Sequence, residues 1–290
     1  MRHIRIISPA GAIDGALIDG ATQRLRSWGY QVSEGRHARG SWGGFAGTDE
    51  ERLEDLNEAF ADPSVDIILC SRGGYGVCRI IDRIEVNPKH IPLVIGYSDI
   101  TCLHNLMGTF QRPSLHSIMA KHIALLPEES VPTQSLRQLL NGESTTYSVA
   151  SHPLNRTGIA EGILRGGNMQ VMYGLRGTPF DIKDDGQTIL VIEDVNEPAH
   201  ALDRIMQSWR TSGLLSRLRG LIIGRFAECR EDERLCRTIY EAMADAVKDY
   251  DYPVIFNFPL GHIEDNYPVA LNASCRIEVA KDKSTVITNI

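Results

Sequence analysis

The sequence lacks the features that mark membrane proteins, metalloproteins and nucleic-acid-binding proteins. No uninterrupted apolar stretch approaches the roughly 20 residues that a membrane-spanning helix needs. Lysine and arginine form no run longer than two, and the net charge is -7, which argues against a surface that follows a phosphate backbone. No H-x-x-x-H, H-E-x-x-H or cysteine cluster occurs. We therefore expect no metal, no cofactor, no nucleic acid and no membrane as partners.

The six cysteines and the N-terminus indicate a reducing compartment. No C-x-x-C pair is present, so reduced and mostly buried thiols are expected. The chain passes from Met1 directly into a short apolar strand, with no hydrophobic leader and no small-residue cleavage site. We expect a cytoplasmic protein. A hydrophobic fraction of 42% in 290 residues suffices for packed cores, and this length suits two domains.

The first half of the chain alternates strand patterns with helical ones. Apolar strand patterns occupy residues 5–8, 30–32, 65–70 and 93–95. Helical patterns follow them at residues 14–28, 52–60, 77–84 and 100–110, and Thr48-Asp-Glu-Glu51 resembles a capping box before the second helix. The nearly continuous apolar run at 65–70 is typical of a parallel sheet covered on both faces. This order predicts an α/β fold with a doubly wound parallel sheet.

A polar connector at residues 141–158 predicts a domain boundary. We expect an N-terminal domain at 1–142, a linker at 143–158 and a smaller C-terminal domain at 159–290. The second half has strand patterns at 162–165, 188–193, 220–225 and 254–258, and helical patterns at 169–175, 202–211 and 233–248. It ends in a hairpin pattern at 276–280 and 284–288. These patterns predict a second α/β domain with a mixed sheet.

The most informative segment is Gly96-Tyr-Ser-Asp-Ile-Thr101. The apolar strand pattern ends at Gly96 and a helical pattern starts near Asp99, which leaves Ser98 at the turn. Such a corner can present a hydroxyl above the carboxyl edge of a parallel sheet, as a nucleophile elbow does. Ile100 stands where the G-x-S-x-G elbow has its second glycine, so a serine that only caps the helix is the alternative.

A nucleophilic serine needs a base, and four histidines are candidates. His104 lies about 9 Å along the helix and about 240° round from Ser98, so we expect a structural role for it. His116 and His122 lie beyond that helix and remain possible. His262 follows the strand pattern at 254–258 in a loop that contains proline and glycine, a common location for catalytic side chains. A loop histidine without a catalytic task is the alternative.

Glu193 is the candidate for a carboxylate that orients the imidazole. It is the first charged residue after four apolar ones at the end of the strand pattern 188–193. Asp194 and Glu197 compete with it. A solvated carboxylate at the end of a strand is the alternative.

The glycine-rich turn Arg72-Gly-Gly-Tyr-Gly76 has three possible roles. Its glycines can let backbone N–H groups approach an anion, but it lacks the lysine of a P-loop and the spacing of a dinucleotide fingerprint. It can be a tight turn alone. It can also donate one N–H group, that of Gly74, to an oxyanion hole whose second donor is the N–H group of Asp99.

Six segments in order resemble the LD-carboxypeptidase family of serine peptidases, the muramoyltetrapeptide carboxypeptidases. They are Ile7-Ser-Pro-Ala-Gly11, Ser71-Arg-Gly-Gly-Tyr-Gly76, Gly96-Tyr-Ser-Asp-Ile-Thr101, Gly166-Gly-Asn168, Ile192-Glu-Asp-Val195 and Gly261-His262. The resemblance implies that Ser98 is the nucleophile and that Glu193 and His262 complete a triad. It also implies a Rossmann-like N-terminal half, a swivelling β/α C-terminal half and a homodimer.

The expected reaction is hydrolysis of the amide between an L-centre, diaminopimelate or lysine, and a terminal D-alanine of a cytoplasmic muropeptide in cell-wall recycling. Arg72 and Arg165 are candidates for binding the free carboxylate, by charge only, and each can instead be a structural ion-pair partner. The first alternative is a microcin-immunity type of serine amidase that cleaves a peptidyl or aminoacyl nucleotide, for which Trp42 is the only suggestive stacking residue. The second is a non-catalytic small-molecule binding module.

Overall fold

The computed structural model describes residues 1–183 and 185–289, and it shows a mixed α/β fold built on two sheets. The strands are β1 (His3–Ile7), β2 (Gln31–Glu34), β3 (Ile67–Cys70), β4 (Leu93–Gly96), β5 (Ser114–His116), β6 (Thr145–Ala150), β7 (Gly158–Asn168), β8 (Thr188–Val195), β9 (Gly220–Ala227), β10 (Val254–Ile255), β11 (Val269–Leu271), β12 (Ala273–Val279) and β13 (Lys283–Thr288). The helices are α1 (Gly15–Ser27), α2 (Asp49–Ala61), α3 (Thr101–Thr109), α4 (Ala120–Leu125), α5 (Val131–Leu140), α6 (Met169–Gly174), α7 (Ala199–Thr211) and α8 (Ile239–Ala246). No helix among these described residues is long and apolar enough to cross a membrane.

The first sheet has the order β11-β5-β4-β3-β1-β2. Strands β1 to β5 pair in parallel, which the sequence predicts for β1 to β4 but not for β5. Side chains from alternate positions enter separate apolar clusters on the two faces of the sheet. The sequence does not predict β11, which comes from the C-terminal half and pairs antiparallel with β5. One edge of the N-terminal sheet is therefore made by residues of the other half.

The second sheet has the order β10-β9-β8-β7-β12-β13-β6. It is mixed, as predicted, because β7 to β10 pair in parallel and β6, β12 and β13 add antiparallel pairs. It has seven strands, one more than the first sheet. The predicted α/β class with two sheets is confirmed. The division into residues 1–142, 143–158 and 159–290 stays a prediction.

Three local predictions are wrong. Residues 77–84 form two short 3-10 turns, Val77–Arg79 and Ile81–Arg83, where the sequence predicts a helix. Gly76 precedes them at φ 133°, and Ile80 separates them at φ -126° and ψ -6°, outside the helical region. The predicted helix at 233–248 begins only at Ile239, since Cys236 has φ 51° and a capping box at Thr238 starts α8. The predicted connector contains β6, which pairs with β13.

Candidate active site

Ser98 lies in a strained corner between β4 and α3. Its φ is 68°, a left-handed value that is rare outside glycine, and it begins a 3-10 turn, Ser98–Ile100, that leads into α3. Gly96 makes room for this turn, because a Cβ there would lie 2.9 Å from the Ile100 side chain. The Ser98 side chain caps neither the turn nor α3, so the capping alternative does not hold.

The structure brings Ser98, His262 and Glu193 together. His262 Nε2 lies 3.0 Å from the Ser98 hydroxyl, and Nδ1 lies 2.7 Å from Glu193 Oε2. Glu193 is fully buried, so this carboxylate accepts from Nδ1–H and leaves Nε2 as the acceptor for the hydroxyl proton. The Tyr97 ring meets the imidazole edge to face at 5.0 Å. A hydroxyl, an imidazole and a carboxylate linked in this order can activate an oxygen nucleophile.

The pKa of His262 lies above its ordinary value. Burial lowers it, but the charge and the hydrogen bond of Glu193 together outweigh burial, and the charge of Asp194 adds to them. The cationic form of the His262 imidazole is therefore stabilised in place.

Two glycines pack against Glu193, and a buried asparagine fixes the loop that carries His262. A Cβ on Gly261 would lie 2.7 Å from Glu193 Oε2, and one on Gly224 would lie 3.3 Å from Glu193 Cβ. Gly261 also has φ 124°, which a side chain would strain. The side-chain Oδ1 of Asn266 accepts a hydrogen bond from the Gly261 N–H at 2.9 Å and fixes the loop that carries His262.

The competing carboxylates do not face the histidine. Asp194 is buried and accepts hydrogen bonds from Asn168 Nδ2 at 2.8 Å and from the Gln170 N–H at 2.9 Å. Burial and the neighbouring charge of Glu193 raise the pKa of Asp194 to about 7. The backbone N–H of Glu197 donates to Cys229 Sγ. The Glu197 carboxylate forms no ion pair with any residue that the structure describes.

The glycine-rich turn packs directly on the serine, with Gly73 as the closest residue. A Cβ on Gly73 would lie 2.7 Å from Ser98 Cβ and 2.9 Å from Ser98 Oγ. The Asp99 carboxylate accepts the Val77 N–H at 2.9 Å and so ties the end of this turn to the serine corner. Burial, the dominant cause, raises the pKa of Asp99 to about 6. The sequence singles out Gly74 and overlooks Gly73, although both lie in the quoted motif.

The predicted oxyanion donors, the backbone N–H groups of Gly74 and Asp99, have no acceptor among the described residues. The Gly73 carbonyl accepts from the Gly11 N–H at 3.2 Å, so the N–H of Gly74, on the opposite side of that peptide plane, points away from Gly11. Asp99 is the second residue of its 3-10 turn, where N–H groups have no partner within the turn. Both groups are available to an anion.

The two candidate arginines differ. Arg72 donates to the carbonyls of Gly73 and Ala12 at 3.2 and 3.1 Å, and it forms no ion pair with the carboxylates of the described chain. Arg165 is buried and forms a bidentate ion pair with Asp185, with atoms 2.9 and 2.8 Å apart. The Arg165 guanidinium forms no hydrogen bond or ion pair with Ser98, Glu193 or His262 among the described residues, and Asp185 neutralises its charge. It is the structural ion-pair partner that the sequence left open.

The other histidines form a buried, neutral group beneath the site. His104 donates to the Gly96 carbonyl at 2.9 Å and accepts from Ser114, and burial lowers its pKa to about 4, which confirms a structural role. Burial also lowers the pKa of His122 to about 4, and its Nε2–H donates to the Tyr97 hydroxyl at 3.1 Å. His116 is fully buried with its pKa well below the ordinary value, again through burial.

The sequence also overlooks the contact that joins the two halves at the site. The Asn168 N–H donates to the Thr101 hydroxyl at 3.0 Å, and a Cβ on Gly167 would lie 2.5 Å from that oxygen. The strand end that carries Asn168 therefore docks on the first residue of α3, three residues after Ser98. The Gly-Gly-Asn motif is the signal that could have identified Asn168.

Comparisons with known proteins agree with this arrangement. The models of the LD-carboxypeptidase N-terminal and C-terminal domains match residues 4–117 and 161–277. A probable murein peptide carboxypeptidase of Bacillus subtilis is 32% identical over 98% of this chain and 91% of its own.

Solved structures share the fold. The crystal structure of muramoyltetrapeptide carboxypeptidase from Oxalobacter formigenes superposes with a TM-score of 0.88 at 23% identity, over 99% of both chains. The microcin self-immunity protein MccF, in complex with aspartyl sulfamoyl adenosine, gives 0.85 at 17% identity, over 98% of this chain and 95% of its own. The two family models and the bacterial relative together show that the chain belongs to the LD-carboxypeptidase family.

Proposed function

We propose that the protein is a serine-type LD-carboxypeptidase that releases the terminal D-alanine of a muropeptide. The bond cleaved joins the D-alanine to an L-centre, that of diaminopimelate or lysine, in cell-wall recycling in the cytoplasm. The proposal rests on the hydrogen-bonded triad of Ser98, His262 and Glu193. His262 Nε2 lies 3.0 Å from the Ser98 hydroxyl, and His262 Nδ1 lies 2.7 Å from Glu193 Oε2. Family membership makes the protein a carboxypeptidase, and the murein substrate in the name of the Bacillus relative supports the choice of substrate.

In the proposed mechanism, His262 Nε2 takes the proton of the Ser98 hydroxyl as the oxygen attacks the scissile carbonyl carbon. Glu193 holds the tautomer in which Nε2 is free and stabilises the imidazolium. His262 then returns the proton to the amine of the departing D-alanine, which leaves an acyl group on Ser98. A water molecule, deprotonated in turn by His262, hydrolyses that ester and restores the serine.

The N–H groups of Gly74 and Asp99 are the proposed oxyanion donors. Each is free of acceptors among the described residues, and each adjoins a residue in contact with the serine corner. Their dipoles are fixed before the reaction, so the negative charge of the tetrahedral intermediate is stabilised without reorganisation. Arg72 is the proposed partner of the substrate carboxylate, since its guanidinium lies beside the same turn and binds only carbonyls there.

The test is the release of D-alanine from L-Ala-D-Glu-meso-diaminopimelyl-D-Ala. We expect turnover by the wild type and a loss of at least about 10⁴-fold in kcat for Ser98→Ala. Ser216→Ala, an exposed serine outside the site, is the matched control and should retain full activity. Equal release by the wild type and Ser98→Ala would refute the nucleophile assignment.

A second candidate is the microcin-immunity type of amidase, favoured by the match to MccF and by the exposed ring of Trp42. If the wild type releases no D-alanine, a peptidyl sulfamoyl adenosine is the next substrate to test. Activity on that compound, dependent on Ser98, would replace the peptidase proposal. The hydrogen-bonded triad of Ser98, His262 and Glu193 argues against a binding module without catalysis.

The resemblance also leads us to propose a homodimer. Sedimentation of the full chain at micromolar concentration tests it, and a mass equal to the 32.2 kDa monomer would refute it.

A further inference from the structure

A buried arginine contacts the end of the glycine-rich turn. Arg52 stands near the start of α2 and is only 1% exposed. Its guanidinium donates to three backbone carbonyl groups. Nη1 donates to Pro9 at 2.7 Å and to Gly76 at 3.0 Å, and Nε donates to Gly47 at 3.3 Å. Nη2 pairs with the Asp49 carboxylate. The proposed mechanism does not use this buried cation.

The glycine-rich turn is held at two anchors. At the first anchor, the Gly73 carbonyl accepts the Gly11 N–H at 3.2 Å. At the second anchor, the Gly76 carbonyl accepts from Arg52. In the part of the chain that the structure describes, no hydrogen bond reaches the backbone between these anchors. Gly74 lies in that stretch, so the direction of its N–H, a proposed oxyanion donor, depends on both anchors.

Arg52 acts on both anchors. It holds the second one directly. It holds the first one through the loop after β1, because its bond to Pro9 fixes the segment whose Gly11 N–H binds Gly73. This segment packs closely on the turn, since a Cβ on Gly74 would lie 3.0 Å from the Gly11 nitrogen. The planar fork of donors in a guanidinium allows one side chain to join these separate carbonyl groups.

The second anchor is held from both sides of one peptide group. The Gly76 carbonyl and the Val77 N–H belong to the same planar unit and point in opposite directions. Arg52 donates to this carbonyl, and the Asp99 carboxylate accepts this N–H at 2.9 Å. We name Arg52, this peptide group and Asp99 the turn clamp. Asp99 follows Ser98 and carries the other proposed oxyanion N–H, so the turn clamp connects the two donors.

The charges at the turn clamp support the same arrangement. The single carboxylate of Asp49 pairs with both Arg52 and Arg79, so these three groups together keep one positive charge. The buried Asp99 carboxylate supplies a balancing negative charge across the peptide group. Burial raises the pKa of Asp99, and the charge of Arg52 opposes this effect. Hydrogen bonds with a charged partner are shorter and stronger than neutral ones, which makes the turn clamp a firm connection.

We propose that Arg52 is a positioning residue that orients the oxyanion hole through the turn clamp. This inference rests on the proposed function, since it concerns the same reaction. The oxyanion forms only as the tetrahedral intermediate forms, so a misplaced turn lowers kcat and leaves substrate binding nearly unchanged.

The first test replaces Arg52 with lysine in the full-length protein. Lysine keeps the positive charge, but its single nitrogen cannot reach three carbonyl groups on different loops. A misplacement of about 1 Å costs about 100-fold in rate. We therefore expect Arg52→Lys to lower kcat for D-alanine release about 100-fold, with KM within about twofold of the wild type. Arg24→Lys is the matched control and should keep kcat, since Arg24 on α1 also donates to a carbonyl, that of Leu126, and pairs with a carboxylate, that of Glu128.

The second test measures the activated serine without any peptide, by labelling with a fluorophosphonate. The Ser98 oxygen attacks phosphorus, the P–F bond breaks, fluoride leaves and the serine proton passes to His262. The phosphoryl oxygen then takes the place of the oxyanion, so the labelling rate reports on the turn whatever the natural substrate is. We expect Arg52→Lys to be labelled about 100-fold more slowly than the wild type. Arg24→Lys should be labelled at the wild-type rate, and Ser98→Ala should stay unlabelled.

A lower Tm of Arg52→Lys with kcat and labelling rate within about twofold of the wild type would overturn the positioning role. An Arg52→Lys variant with raised KM and unchanged kcat would also overturn it. If Arg52→Lys does not fold, Asp99→Ala removes the other side of the turn clamp. That variant should lose at least about tenfold in labelling rate, and an unchanged rate would overturn the turn clamp.

The two measurements separate this inference from the proposed function. A wild type that is labelled at Ser98 but releases no D-alanine would refute the peptidase proposal, while the ratio of labelling rates would still decide the role of Arg52. A wild type that is neither labelled nor active would refute both, because Ser98 would then not be a nucleophile.

Discussion

Replacing Gly73 with alanine tests the packing of the glycine-rich turn on Ser98, the proposed nucleophile. Gly73 does not have positive φ, so the backbone accepts alanine and the effect is steric. The new Cβ would lie 2.7 Å from Ser98 Cβ and 2.9 Å from Ser98 Oγ. Carbon atoms in ordinary contact are about 3.5 Å apart or more, so the serine must retreat by roughly 0.8 Å.

A nucleophile displaced by nearly 1 Å costs about 100-fold in rate. We therefore expect Gly73→Ala to lower kcat/KM for D-alanine release about 100-fold. Overpacking of this size also costs about 1–3 kcal/mol of folding free energy, so Tm should fall by several degrees without loss of the fold at 25 °C. Gly174→Ala, where a Cβ meets open space, is the control: kcat/KM should be unchanged and Tm should not fall. A folded Gly73→Ala protein with kcat/KM within about twofold of the wild type would refute the steric argument.

Two further substitutions test the base and the contact between the halves. Glu193→Gln should lower kcat by about 10² to 10⁴-fold. His262 can act as a base only when it is neutral, so kcat/KM is lost as pH falls through the pKa of His262. Glutamine removes the charge that raises this pKa, so the acidic side of the pH profile of kcat/KM should move to lower pH. An unchanged pH profile would contradict the pairing of Glu193 with the base. Thr101→Val leaves the buried Asn168 N–H without its acceptor and should cost about 1–3 kcal/mol, measured by urea unfolding. Thr109→Val, at an exposed site, should cost less, and equal losses would contradict the docking role.

The serine corner could be predicted because its signal is local. A strand pattern, a small residue at its end and a helical pattern all lie within about 15 residues, and the structure has β4, a positive-φ serine and α3 in that order. The positions of Glu193 and His262 could also be predicted, as each stands where an apolar run ends. Their mutual distance could not, since it depends on how two sheets pack.

Features that depend on distant partners were missed for the same reason. β11 is three residues long, and only its pairing with β5 makes it a strand. β6 reads as a polar connector because its pairing with β13 joins segments more than 130 residues apart. The ion pair of Arg165 depends on a loop residue, Asp185, whose position the sequence pattern does not indicate.

The strand β11 also sets the order in which the chain can complete its folding. During synthesis, the first 142 residues contain every parallel strand of the first sheet, but β5 keeps an unpaired edge until residue 271 has left the ribosome. Exposed edges of this kind recruit other strands, and contacts between distant residues form slowly. A fragment that ends at the predicted boundary should therefore aggregate. Adding a separate peptide that contains β11 should prevent this aggregation. The proposed nucleophile Ser98 lies in the first half of the chain, but its site is complete only when nearly the whole protein has been made.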